Sequence, residues 1–149
     1  MGVVAIYFAW RAPYIASLMS EMQRDVVGDS DGVARRAAAL LIEALAASQG
    51  PVAVSLAGGS TPKRLYETLA LPDWRRKVPW ERVHWFWSDE RFVPPDHPDN
   101  NYRMVRAAML GPVGVNKAQI HPVATVGIDP AAAAMLYQAE LRAFYGSAE

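Results

Sequence analysis

The stretch VSLAGGSTPKRLY, residues 54–66, constrains this chain more than any other. An apolar, β-branched run over 52–57 stops at two glycines, and Ser-Thr-Pro follows where a helix can begin. A short run that is apolar on both faces suits a strand of a parallel sheet, covered above and below. Thr61 fits an N-cap, and Pro62 fits the first helical position, where its missing N–H costs nothing. Leu65 and Leu69, four residues apart, would hold that helix to the sheet.

The rest of the chain repeats this alternation. Asp31 is the expected cap of a helix through VARRAAALLIEALAAS, ended by Gly50-Pro51. Pro72 ends the next helix. RVHWFWS, 82–88, reads as a second strand, with Val83, Trp85 and Trp87 on one face and His84, Phe86 and Ser88 on the other. Asn100 or Asp99 caps a third helix, which Gly111-Pro112 should stop. QIHPV, 119–123, reads as a third short strand. Asp129-Pro130 opens a last helix to about Tyr145, with Met135, Leu136, Tyr137, Leu141 and Phe144 as its apolar side. Helix–strand alternation of this kind implies an α/β fold: a parallel sheet, right-handed crossovers and helices on both faces. The domain is expected over 22–149. Residues 1–21 are expected to be an N-terminal extension, because Arg11 and Pro13 interrupt any run approaching the ~18–20 residues of a membrane span.

Fifteen basic residues balance fifteen acidic ones, which argues against nucleic-acid or anionic-membrane partners. The absence of cysteine excludes disulfides and thiolate zinc sites and is compatible with a cytoplasmic protein. His84 and His121 read as structural and His97 as loop-ordering. No histidine pair has metal-ligand spacing, so no metal is expected.

Ligands of open parallel sheets sit beyond the C-terminal strand ends, and two unusual loops lie there. Gly58, Gly59, Ser60 and Thr61 offer bare backbone, two hydroxyls and a helix N-terminus, with Lys63 and Arg64 one turn on. This suits a phosphate monoester. The alternative is a tight strand-to-helix turn with Thr61 merely capping. Ser88-Asp89-Glu90-Arg91 supplies carboxylates for protons or sugar hydroxyls and an arginine for an anion. The alternative is an internal ion pair that stiffens the loop. Neither a nucleotide P-loop nor GxGxxG is present, so no nucleotide cofactor is expected.

The segments VSLAGGSTPKRLYETLA, 54–70, and WERVHWFWSDERFVPPDHPDNNYRMVRAAML, 80–110, resemble the 6-phosphogluconolactonase family, which is related to the glucosamine-6-phosphate isomerase/deaminases. The resemblance implies a Rossmann-like α/β fold and hydrolysis of 6-phosphoglucono-δ-lactone to 6-phosphogluconate in the oxidative pentose phosphate pathway, without metal or cofactor. By position, Gly58, Gly59, Ser60 and Thr61 would hold the phosphate, and Asp89 and Arg91 would line the pocket, with Asp89 the catalytic candidate. Glu90 and Asn101 would support the loops; Asn100 stands where the family more often has Ser. "SDER" favours the lactonase branch over the deaminase branch. The deaminase reaction and a non-catalytic phosphosugar-binding module are the alternatives.

Family members continue into a strand and a Gly-rich loop, GxGxDGHTASLFPG, whose histidine is the expected proton-transfer group. The sequence here reaches Glu149 without it. The resemblance therefore implies a sheet incomplete on its C-terminal side, impaired activity, and either a complementing C-terminal half or self-association.

Overall fold

Two five-residue strands place everything else. β1, Val52–Leu56, and β2, Val83–Trp87, pair in parallel, in register from Val52↔Val83 to Leu56↔Trp87. The computed structural model describes residues 25–146, so the extension expected over 1–21 lies outside the described residues. Side chains alternate across a strand, which sends Val54, Leu56, Val83, Trp85 and Trp87 to one face, all of them buried.

Three helical segments cover that first face. α1, Ser30–Ala47, turns Ala37, Ala38, Leu41 and Leu45 inward at helical spacing. α2, Ser60–Ala70, buries Leu65, Tyr66 and Leu69. Leu71, before Pro72, is extended and ends α2, and Pro72 opens a short α3, Pro72–Arg75. α4, Asn101–Val105, runs through a π-helical turn, Arg106–Leu110, into α5, Gly111–Val113, and adds Val105, Met109 and Leu110 to the core. Each aliphatic side chain of this size contributes about 1.5–3 kcal/mol on full burial, and the layer is dense enough that Ala38, Leu45, Leu69, Val83, Trp85, Val105 and Met109 have no measurable exposure.

The second face is covered unevenly. α6, Pro130–Tyr145, lies over β2: Phe86 packs against Phe144 at 5.3 Å between ring centroids, and the His121 ring stacks on Phe86 at 4.3 Å. Over β1, among the described residues, that face is open at Ser55, which is exposed.

Several expected boundaries move. Asp29, not Asp31, caps α1, accepting from the Gly32 N–H at 2.6 Å, while Asp31 pairs with Arg64. Gly59, not Thr61, is the cap of α2, so Pro62 sits third in the helix rather than first. A glycine at φ +103° makes the turn, a conformation closed to Thr. Gly111-Pro112 does not stop the third helix. The π turn shifts its hydrogen-bond register by one, Pro112 falls in the first turn of α5, where its N–H is not missed, and Gly114 at φ +80° ends it. The third strand reduces to one bridge, Trp85↔Ile120. Lys117–Gln119 is a 3₁₀ turn, His121 N–H donates to Trp85 C=O at 2.9 Å, and Pro122 has no N–H with which to continue. On α6, Tyr137 and Phe144 face the sheet, but Met135 and Leu136 are 71% and 59% exposed, because Ala133, Tyr137, Glu140 and Phe144 define the inward stripe. No helix among the described residues is long and apolar enough to cross a membrane.

Candidate phosphosugar site

The first loop leaves β1 at Ala57. Gly59 turns the chain and α2 starts at once at Ser60, with no side chain capping it. Lys63 N–H is the first to be taken, by Gly59 C=O at 3.1 Å. Helix geometry leaves the amides of Ser60 and Thr61 without intrahelical acceptors, and the third orphan position is Pro62, which has no N–H. Two open donors and the positive end of α2 therefore lie at this turn, an arrangement that can take an oxyanion.

The second loop leaves β2 at Ser88, whose N–H and hydroxyl both donate to Leu56 C=O, at 2.8 and 3.0 Å. Glu90 then folds onto the start of α4. Its Oε1 accepts from the N–H groups of Asn101 and Arg91, at 2.7 and 2.8 Å, and its Oε2 accepts from Tyr102 N–H at 2.8 Å. Asn100 Oδ1 takes the Arg103 N–H at 2.7 Å, so α4 is capped by two side chains. One carboxylate takes three backbone amides, two of them at the start of α4, and ties the loop to that helix. Glu90 is thus a loop fastener.

Asn101 joins the loops. Its Nδ2 donates to Asp89 C=O at 3.1 Å and lies 3.4 Å from Asp89 Oδ2. Its amide also packs directly on Gly58, where an added Cβ would fall 2.0 Å from Asn101 Oδ1. Asn101 is 7% exposed and Asn100 2%, among the few polar side chains buried in the described residues.

Around this junction lies a cleft of about 240 Å³ bordered by Gly59, Ser60, Lys63, Arg91, Asn101 and Met104, with Pro98, Asp99 and Asn100 on its rim. Of the residues singled out from the sequence, Gly59, Ser60, Arg91 and Asn101 border the cleft. Gly58 and Asp89 lie against it through Asn101, Thr61 lies in the adjoining helix turn, and Glu90 lies beneath. Arg91 Nε is 3.8 Å from Asp89 Oδ2, both side chains being largely exposed, so the loop carries a loose ion pair as well as a free cationic edge. Arg64 turns away to Asp31, and Lys63 stays at the cleft. Asp99, read only as a possible helix cap, and Met104, on α4, were not expected at the cleft; folding of the proline-rich loop back onto α4 brings Asp99 here. A larger groove, about 390 Å³, lies on the other side of α4 between Tyr102, Arg106, Lys117 and Pro122, and it shares no bordering residue with this cleft.

The histidines are elsewhere. His84 Nδ1 lies 2.9 Å from His121 Nε2, and His121 Nδ1 lies 2.6 Å from Glu140 Oε1, on the α6 side of the sheet. His84, expected as a packed core residue, is half-buried. Burial and the neighbouring His121 push its pKa below the ordinary value. His97 Nδ1 accepts from Asp99 N–H at 3.2 Å within the loop. No cluster of His, Asp and Glu among the described residues is arranged to hold a metal ion.

The chain is 48% identical over 99 residues to a 6-phosphogluconolactonase of Synechocystis sp., covering 66% of this chain and 40% of that protein. It superimposes on the solved 6-phosphogluconolactonase of Trypanosoma cruzi with a TM-score of 0.72 at 26% identity, covering 83% of this chain and 51% of that one. The 6-phosphogluconolactonase of Thermotoga maritima gives a TM-score of 0.67 at 31% identity, over 79% and 52% of the two chains. The chain thus spans about half the length of the relatives it matches. The family model for glucosamine-6-phosphate isomerases/6-phosphogluconolactonase matches residues 28–149, so the chain belongs to that family.

Proposed function

We propose that the cleft holds the phosphate end of a phosphorylated sugar lactone, and that the whole protein hydrolyses 6-phosphoglucono-δ-lactone to 6-phosphogluconate. The open amides and hydroxyls of Ser60 and Thr61, with the bare backbone of Gly58 and Gly59, take the phosphate oxygens. Lys63 and Arg91 neutralise its charge from the two sides. Asp89, kept in place by Asn101, faces the sugar end and is the carboxylate that handles a proton there. Glu90 and Asn101 hold the geometry. No metal or cofactor is assigned a step.

A single observation carries this reading: Asn101 packs on Gly58 with one side of its amide and donates to Asp89 with the other, so the anion loop and the acidic loop form one rigid corner. Relatives named 6-phosphogluconolactonase support the lactone as substrate. A doubly charged phosphosugar does not cross a bilayer unaided, which supports a cytoplasmic setting.

The test is calorimetric titration of the chain with 6-phosphogluconate. Binding that falls by about tenfold or more in a Ser60→Ala/Thr61→Ala variant is expected, the loss of one to two charge-assisted hydrogen bonds. Equal binding by both forms, or none by either, would overturn the assignment.

A further inference from the structure

We propose that Tyr66 and Tyr137 are paired positioning residues that end the two strands and aim the two site loops; the ligand part of this rests on the phosphosugar reading above. In a parallel strand the N–H and C=O of one residue point to the same side, and successive residues point to opposite sides. Leu56 C=O accepts from Ser88 N–H, so Leu56 faces β2 and the polar groups of Ala57 turn to the outer edge of β1. There Tyr66, reaching back from α2, takes both: its hydroxyl accepts from Ala57 N–H and donates to Ala57 C=O, each at 2.9 Å.

β2 ends in the same way. Trp85 C=O accepts from His121 N–H, so the polar groups of Trp87, two residues on, point to that same side, beyond the last bridge. Tyr137, from α6, meets them: its hydroxyl accepts from Trp87 N–H at 2.5 Å and donates to Trp87 C=O at 3.0 Å. Two tyrosines from unrelated helices thus make one contact, at the residue just before Gly58 and at the residue just before Ser88. Tyr137 occupies the position at which a further residue would prolong the pairing past the Trp85–Ile120 bridge, and Tyr66 fills the hydrogen bonds of Ala57 on the outer edge of β1. The strand stops there, and the next residue is released as loop in a fixed direction.

One hydroxyl can serve both backbone groups only while it keeps its proton. Burial, the largest cause, pushes both tyrosines up to about 12, against the weaker pull of their backbone partners, so each remains a donor across neutral pH. Tyr66 is 4% exposed, which leaves no water to replace it.

The test compares Tyr66→Phe, Tyr137→Phe and, as a control, Tyr145→Phe, whose hydroxyl has no hydrogen-bond partner among the described residues. Phenylalanine keeps the ring packing and removes only the contact. Amide hydrogen exchange of the ligand-free chain, read by NMR, should speed up at Ala57, Gly58 and Gly59 in the first variant alone. It should speed up at Trp87, Ser88 and Asp89 in the second alone, and stay unchanged at Val54 in all three. Titration with 6-phosphogluconate should show about tenfold weaker binding in Tyr66→Phe, the worth of about one positioned hydrogen bond, and none of this loss in Tyr145→Phe. Uniformly faster exchange in both variants, or exchange and affinity like the wild type, overturns the positioning role. A wild-type chain that ignores 6-phosphogluconate while the exchange pattern holds removes the phosphosugar reading and leaves the strand-ending role standing.

Discussion

Between Leu56 and Ser60 the chain turns with almost no side-chain atoms, whereas between Trp87 and Asn101 it is fastened by the carboxylate of one glutamate. The first loop works by omission. Gly58 leaves room for the Asn101 amide, Gly59 adopts φ +103°, and the first amides of α2 stay open. The second loop works by satisfaction, since Glu90 and Asn100 fill the donors at the start of α4. Two helix N-termini of the same fold therefore differ in one respect: α4 is closed by side chains, and α2 has no side-chain cap. An open end costs stability that a bound anion restores.

The comparison can be broken most forcefully at Gly58. Gly58→Ala places a methyl 2.0 Å from Asn101 Oδ1 and must expel that side chain, parting the two loops. A loss of about 3 kcal/mol, the upper part of the overpacking range, is expected in chemical denaturation, together with loss of 6-phosphogluconate binding. A stable, binding-competent variant would show that the junction is not needed. Next comes Glu90→Ala, which frees three amides of which two begin α4. The expected loss is about 2 kcal/mol, within the range for leaving buried donors unpaired, and Glu90→Gln should recover part of it. If Glu90→Ala cost nothing, the second loop would not be held as described.

The smallest effect sharpens a different contrast, that between the closely packed first face and the polar patch under α6. The pKa of His84 is lowered in the folded chain, so the unfolded chain binds more protons near its ordinary value of about 6.5. Stability is then highest above that value and falls as the pH drops through it toward the lowered folded value. Melting temperatures measured from pH 8 to pH 5 should decline over that window, and His84→Gln should flatten the decline. A slope unchanged in the variant would assign the effect to other groups.

Local chemistry was readable from the residues themselves. β-branched and aromatic runs gave both strands, the 3.6-residue spacing of Leu and Ala gave α1 and α2, and Asn100 and Asp129 announced their helices because a side-chain oxygen two or three residues before an amide is a local event. The Gly-Gly-Ser-Thr and Ser-Asp-Glu-Arg loops stood out because their compositions break that regularity. Where two local rules competed, the reading slipped. Thr61-Pro62 looked like a helix start, but glycine's access to positive φ moved the start to Ser60. Ile120 looked like strand, but Pro122 stopped the ladder after one bridge. Gly111-Pro112 looked like a stop, but a π turn carried the helix through.

The alternation of helices with the first two strands, their parallel pairing and the strand–glycine–helix turn at Gly58–Thr61 followed from the sequence by itself, because they depend on backbone freedom and side-chain period over a few residues. Only the tertiary structure decided which residues touch. That Asn101 fills the space left by Gly58, that Glu90 serves a helix eleven residues away, and that Tyr66 and Tyr137 finish the strands are long-range contacts. They are fixed by how helices seat on the sheet, and no local pattern encodes that seating.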